Sequence, residues 1–535
     1  MPISQLGQIN TTALIVPNVR VQIVPPQTNF LTGVPTNILG VVGSASWGPV
    51  NAPVSVGNMA DFAENFGAIK NRKHDLGTAV VVAVLQGANA FKCVRVTDGT
   101  EVAASVNVED GDATPAYGVS ITAKYEGTVG DELVVSLKDG TNSTVANPTF
   151  RLTVAMPGRV SEVFDNIGGT AADASTEGSL WANVIDAINN GQNALRGPSQ
   201  LVVASVPTTN LSSIRPLALD DFTLSGGADG SIEGGTAAQI RGSLLGADAA
   251  LRTGMYALRG SGASVLNLSD LDDHDAYSTL ASFCLSEGMY GVVSTPPGDA
   301  ISQAIADKKS AGLDTYGVKL MFGDWCLYDD TVNGKVRAVA PASYAAGKIA
   351  ALSPEQSALN KPLLGLIGTQ SASAGTTYSE AELQELALNG IDVITNPVPG
   401  GDYYGVRVGH NSSSDPMVRG DNYTRMTNYI AVTLDAGMGK FIGRLQSVET
   451  RRQCKATLEA FLSDMQSQNQ IGNADGTTPY SVQLDSANNP PSRVALGYMQ
   501  ADVKVQYLSV IEHLLINVEG GQSVTIERLS TAPAA

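Results

Sequence analysis

The stretch Val448-Glu-Thr-Arg-Arg-Gln-Cys-Lys-Ala-Thr-Leu-Glu-Ala-Phe-Leu-Ser-Asp-Met465 is followed, after a Gly/Asn/Pro-rich break, by Ala501-Asp-Val-Lys-Val-Gln-Tyr507. In the first part Cys454, Leu458, Phe461, Leu462 and Met465 recur at helical spacing, which predicts one buried stripe. In the second the period changes to two. Val503, Val505 and Tyr507 alternate with Asp502, Lys504 and Gln506, and further on Val524 and Ile526 alternate with Thr525 and Glu527. A strand that close to Ala535 has little chain beyond it to tie it down, so it is expected to pair with a sheet edge elsewhere. The partner expected here is a second copy of the chain.

Composition fits that expectation. The chain has 535 residues, enough for several domains and a sizeable core, and 43% of them are hydrophobic, which marks a globular chain. Charged residues make up only 16%, against roughly 25% in an average soluble protein, so much of the surface is expected to be covered by neighbours. The net charge of −18 argues against nucleic acid and anionic membranes as direct partners. It is unevenly spread. Glu101–Phe222 holds fifteen acidic and six basic residues, whereas Arg419–Lys455 holds seven basic and three acidic. Cys93, Cys284, Cys326 and Cys454 are scattered without a CxxC pair, so they form neither a disulfide framework nor a zinc site. Neither a signal peptide nor a membrane span is expected, and the chain reads as made in a reducing cytoplasm.

Along the chain, residues 1–30 read as an extended arm holding one strand around Val19, Val21 and Ile23, ended by Pro25-Pro26. Residues 31–98 read as α/β: a buried strand at Ile38–Val42, a short helix capped by Asn58 or Ser55 and closed by Gly67, a helix over Thr78–Asn89, and a strand over Ala90–Val96. Residues 99–227 carry short β-like runs and one helix at Ser179–Asn189, an inserted and mostly β domain. Residues 228–410 return to a βαβ rhythm, with strands expected at Met255–Leu258, Ser264–Leu268 and Gly291–Ser294, and with Ser269–Asp273 capping a helix through Leu285. The last unit is 411–535.

Gly33-Val-Pro-Thr-Asn-Ile-Leu-Gly-Val-Val-Gly43, Trp47-Gly-Pro-Val-Asn-Ala-Pro53, Asp61-Phe62 and Phe66-Gly67 together resemble the N-terminal signature of the contractile, myovirus-type phage tail sheath proteins. Gly127-Thr-Val-Gly130, Leu224-Ser-Gly-Gly-Ala-Asp-Gly230, Leu388-Asn-Gly-Ile-Asp392, Tyr404-Gly-Val-Arg407 and Ala501-Asp-Val-Lys-Val505 resemble later segments of that family in the same order. The resemblance implies a mixed α/β (α+β) multidomain chain. Its inner α/β polymerisation domain would be built from both chain ends, with a mostly β outer domain inserted. It implies a structural subunit that stacks as hexameric rings around a tail tube and contracts to drive the tube through a host envelope. The implied partners are copies of itself, the tube protein, and baseplate and tail terminator proteins. The implied location is the virion tail, after assembly in the host cytoplasm. It implies no enzymatic activity, cofactor or metal.

Two sets of residues are candidates for assembly. Val19, Val21, Ile23, Val524 and Ile526 are candidates for strand pairing between subunits. Lys440, Arg444, Arg451, Arg452 and Lys455 are candidates for a basic patch facing the tube, Arg451 and Lys455 lying four apart on one side of a helix. The rival reading is a nucleotide-binding α/β enzyme, and a variant of the first is the sheath of a phage-derived bacteriocin or injection system. For the enzyme the motifs are wanting. Gly40-Val-Val-Gly43 is not GxGxxG, Gly347-Lys348 lacks the flanking residues of a phosphate loop, and Gly260-Ser261-Gly262 is not GxSxG. The cluster Asp270, Asp272, Asp273, His274 and Asp275 is the best candidate for metal or acid/base work, but carboxylates at a helix start are also favoured by capping and the macrodipole, and no second His or Cys lies nearby at ligand spacing.

Overall fold

The computed structural model describes residues 31–110, 116–170, 172–212 and 220–518, together with two short strands, Ile3–Ser4 and Val21–Gln22. At its centre is a six-stranded sheet in the order Val318–Met321, Tyr290–Ser294, Val265–Leu268, Leu39–Gly43, Phe91–Arg95, Pro53–Val56. The first five strands run parallel, and Pro53–Val56 closes one edge antiparallel. Strands covered on both faces need near-continuous apolar sequence; accordingly every residue of Leu39–Gly43 and Tyr290–Ser294 is buried. Leu39, Val41, Phe91 and Cys93 face the helices Leu76–Leu85 and Pro341–Ala351. Val42, Val94, Leu266 and Leu268 face Tyr277–Glu287 and Ile301–Ser310. The fold is mixed α/β.

Local sequence explains most of the helices. The Asn58 side chain accepts from the backbone N–H of Ala60 and Asp61, and Gly67 ends that helix at φ 84°. Asp75 accepts from Thr78 N at 2.8 Å to start the next one. Gly347 lies where Pro341–Ala351 crosses Leu76–Leu85. A Cβ there would stand 2.5 Å from Ala83 Cα, so this glycine permits the helix contact. Two local expectations are corrected. Met255–Leu258 is not a strand but part of the 3₁₀ turn Gly254–Leu258, in which Met255 and Leu258 are buried. Of the acids in Ser269–Asp273 only Asp273 caps, and it caps the short 3₁₀ turn His274–Ala276. Asp270 turns inward and accepts from Ala340 N at 2.9 Å.

Between the third and fourth strands in chain order lies a separate core of two antiparallel sheets. One is ordered Glu162–Ile167, Phe150–Ala155, Val134–Asp139, Asp221–Thr223; the other Val202–Ser205, Tyr117–Ala123, Ser105–Glu109. The helix Leu180–Asn190 packs on them through Trp181, Val184 and Ile188. The chain leaves and re-enters the body side by side, with Val102 bridged to Ala228 and Ser105 to Ser225. Arg95, fully buried, caps this crossing by donating to the carbonyls of Gly48, Glu126 and Asp229 at 2.7–3.0 Å. The Asp229 carboxylate accepts from Ser46 Oγ, Arg72 and Thr128 N. Burial pushes this carboxyl up, but those hydrogen bonds and the Arg72 charge hold it below the ordinary carboxylate range.

The C-terminal part has its own core. The helices Asp421–Met438 and Val448–Ser467 pack with a two-stranded antiparallel sheet, Tyr480–Gln483 with Asp502–Val505. Cys454, Leu458, Phe461, Leu462 and Met465 are all buried in it. The segment after residue 30 runs along the first of these helices. Val34 N donates to Thr433 Oγ1 at 3.2 Å, and a Cβ on Gly33 would collide with the Tyr429 hydroxyl.

Candidate functional site

The C-terminal helix is fixed to the sheet by a buried charge cluster. Lys319 sits in the strand Val318–Met321 with no solvent exposure, its ammonium 2.6 Å from Asp392 and 3.1 Å from Asp421. Asp421 opens the helix Asp421–Met438 and also accepts from Tyr290 Oη. Burial alone would depress Lys319, but the two carboxylates raise it above an ordinary lysine. Burial would raise Asp421, but Lys319 and Tyr290 hold it below an ordinary aspartate. Arg425, one turn on, donates to Ser353 O and Thr36 O, clamping the N-terminal segment to the same helix.

Beyond this anchor the edge of the module is open. Asp502–Val505 pairs with Tyr480–Gln483 alone among the described residues, so each strand of that sheet presents one unpaired edge. Two strands by themselves are marginal in water. Residues 508–518 then run without regular structure, and Ile511, Leu514, Leu515 and Val518 are each at least 79% exposed. The segment is held at its start, where Asn422 Nδ2 donates to Leu508 O at 3.2 Å, and by Glu512, which pairs with His410 Nε2 at 2.9 Å and with Arg419 at 3.1 Å. Partial burial pushes the Glu512 carboxyl up, and these two partners bring it below the ordinary range.

Four of the five basic-patch candidates fall into two groups. Lys440 and Arg444 flank Phe441, each cation 5.5 Å from the ring centroid. Arg452 is exposed on the helix Val448–Ser467, and Lys455 lies 3.7 Å from Glu459 on the same helix. Lys440 is close enough to Cys454 for its charge to act on that thiol, which joins the two groups. Arg451 differs: its Nε is buried without a partner. Sequence reasoning missed the apolar rim beside these cations, Ile442, Leu445 and Val448, each at least 67% exposed. The run Ile442-Gly-Arg-Leu445 ahead of a helix cap carried that signal.

Of the strand-pairing candidates, Val21 lies in the short strand Val21–Gln22, which pairs in parallel with Ile3–Ser4 of the same chain. Val19, Ile23, Val524 and Ile526 lie outside the described residues.

The place where an enzyme of this topology would bind its ligand is filled. The chain order reverses between Leu39–Gly43 and Val265–Leu268, and in open α/β sheets the crevice outside those carboxyl ends takes the ligand. Here the loop before Leu76 folds across it. Ser44 N donates to His74 O at 2.9 Å, and His74 Nδ1 lies 2.8 Å from Ser269 O. Ser44, His74 and Ser269 are each 1% exposed. In the acidic cluster nearby Asp272 pairs with Lys73, and Asp273 and Asp275 share Arg241. Among the described residues no group of His, Cys, Asp and Glu could hold a metal ion, and no helix is long and apolar enough to cross a membrane.

No family model and no curated protein matches the sequence. Solved structures do match the fold. The sheath tail protein of Desulfitobacterium hafniense superposes with a TM-score of 0.55 at 16% identity, covering 88% of this chain and 94% of that one. The sheath tail protein of Listeria innocua gives 0.55 at 15%, covering 85% and 90%. The sheath complex of an extracellular contractile injection system, PVC, in its contracted state gives 0.53 at 11%, covering 96% and 99%. The chain therefore has the multidomain α/β fold of contractile sheath proteins over nearly its whole length.

Proposed function

We propose that the chain is the structural subunit of a contractile tail sheath, of a phage or of a related injection system, and acts by assembly, without catalysing a reaction. One observation carries this reading: the sheath fold extends over at least 85% of this chain and 90% of each of three solved sheath proteins. The open-edged sheet and the exposed apolar segment 508–518 fit a subunit completed by its neighbours.

In this reading subunits form hexameric rings around a tube. The N-terminal arm around Val19, Val21 and Ile23 and the C-terminal end around Val524 and Ile526 add to sheet edges of adjacent copies. Main-chain hydrogen bonds then link subunits whose bodies can rotate and separate as the lattice shortens. Work comes from relaxation between two packings of one lattice, a bistable system that needs no nucleotide. Lys440, Arg444, Arg452 and Lys455 face an acidic tube surface, with Arg451 behind them. Baseplate and terminator proteins close the two ends, and assembly takes place in the host cytoplasm.

Electron microscopy of the purified protein tests the reading. Helical or ring polymers are expected from the full chain and not from chains lacking residues 1–25 or 520–535. Truncated chains that polymerise normally would overturn the strand-addition mechanism. A full chain that stays monomeric at high concentration and with its tube protein would overturn the sheath reading itself.

A further inference from the structure

A cavity of about 190 Å³ opens beside the short sheet Ile394–Thr395 with Gly405–Val406. Its wall includes Arg407, Tyr404, Thr377, Ser371, Thr395 and Asn396, and no carboxylate lines it. Arg407 is half-buried, and its guanidinium has no ion-pair or hydrogen-bond partner among the described residues. That sets it apart from Arg72, Arg196, Arg241, Arg259, Arg337 and Arg419, each of which pairs with an acid. Asp324, close enough for its charge to act on Tyr404, has its oxygens already engaged by Ser371 N at 2.8 Å and Tyr378 Oη at 3.0 Å. The Tyr404 hydroxyl also has no described partner. Burial and then the Asp324 charge push it above an ordinary tyrosine, so it stays a donor. Asn396 Oδ1 is buried without a partner, and only the opposite amide orientation would offer a donor to an anion here.

A partly desolvated guanidinium without a counter-ion is costly, and water hydrates it without neutralising it. We propose that this cavity is a carboxylate-binding site in which Arg407 takes the anion through its planar fork and Tyr404 donates its hydroxyl. One cation in the wall suits a monoanion rather than a phosphate dianion, and an Arg fork matches a carboxylate in geometry. The volume corresponds to about six waters in the liquid, room for a carboxylate on a short chain. The carboxylate comes either from a small free acid or from an acidic side chain of another copy. The site itself does not depend on the sheath reading.

Arginine labelling by phenylglyoxal, read by mass spectrometry at Arg407, tests this. In dispersed protein Arg407 is expected to react, and millimolar glutarate at constant ionic strength is expected to slow that reaction at least threefold. Glutarate is also expected to raise the melting temperature of the wild type and not of Arg407→Gln, with Arg407→Lys between them. Protection by glutarate in dispersed protein identifies a free acid as sufficient. Protection in assembled protein without glutarate identifies a neighbouring copy as the source. Labelling at an unchanged rate in both states, or no reaction at Arg407 together with a melting temperature indifferent to glutarate, overturns the proposal. An Arg407→Gln chain that fails to fold leaves the wild-type labelling to decide.

Discussion

Lys319 and Asp421, 102 residues apart in the chain, meet at 3.1 Å with no solvent exposure on either side chain. The pair ties a strand of the central sheet to the first turn of the helix Asp421–Met438, so the sheet and the C-terminal core share one anchor. Lys319→Met leaves Asp392 and Asp421 facing each other without a cation, and is expected to lower unfolding stability by about 3–5 kcal/mol. Asp421→Asn keeps the shape and is expected to cost less. Urea unfolding at pH 7 measures both, and equal stability of wild type and Lys319→Met would refute the anchor.

Lys308 has the opposite electrostatics. It donates to the carbonyls of Asn389, Gly390 and Ser412, and burial, only partly offset by the Asp314 charge, lowers its pKa to about 8. A lysine depressed in the folded state binds fewer protons there than when unfolded, so its contribution becomes more favourable as pH rises from about 8 to about 10.4. The buried thiols of Cys93 and Cys284, pushed up by burial, lose stability in the same window. The readout is therefore the difference between wild type and Lys308→Met, which is expected to shift toward the wild type from pH 7.5 to pH 10. A constant difference would show that Lys308 titrates normally.

Gly347 sits in a helix, where alanine is ordinarily better by about 1 kcal/mol. The added methyl would lie 2.5 Å from Ala83 Cα, and overpacking costs about 1–3 kcal/mol. Packing is expected to win: Gly347→Ala should melt lower than wild type. Gly242, whose added Cβ meets nothing within 4 Å, is the control, and Gly242→Ala should melt at or above wild type.

Among the described residues Glu512 is the single ionic tether of the 508–518 segment to the body. Partly exposed ion pairs contribute about 0–1 kcal/mol and are screened by salt. Glu512→Gln is expected to increase proteolytic cleavage after residue 506 several-fold at low salt. Raising salt to 1 M should bring the wild type to the same rate. A rate independent of both would show that packing, and not charge, holds the segment.

Arg444 and Arg452 carry the exposed part of the basic surface, while Arg451 is partly withdrawn. Arg444→Glu with Arg452→Glu is expected to weaken co-sedimentation with an acidic tube protein by about tenfold, roughly 1.4 kcal/mol. Arg451→Glu alone should act through folding and lower the melting temperature. Unchanged co-sedimentation would remove this face from the tube contact.

Residues close in sequence could be read without the structure. Asn58 and Gly67 bracket a helix, and the helix expected at Ser179–Asn189 is found at Leu180–Asn190. The stripe Cys454–Met465 is buried, and the alternation at Val503 and Val505 is a strand. Each rests on capping or on a 3.6- or 2-residue period, both fixed by the neighbouring chain. The sequence did not show that the partner of Asp502–Val505 is Tyr480–Gln483, or that Met255 and Leu258 bury themselves in a turn. Two apolar residues three apart suit either state.

Sequence by itself determined the α/β alternation, the caps, the apolar stripes and the lack of an intact phosphate loop, because these depend on residue type and spacing alone. Only the tertiary structure decided which charges are matched. Lys319 reads as a flaw in an apolar strand until Asp392 and Asp421 reach it, Asp270 reads as a cap until Ala340 claims it, and Arg407 reads as one more surface cation until no acid is found beside it. Coulomb energy and desolvation depend on distances between residues far apart in the chain, and folding alone sets those distances.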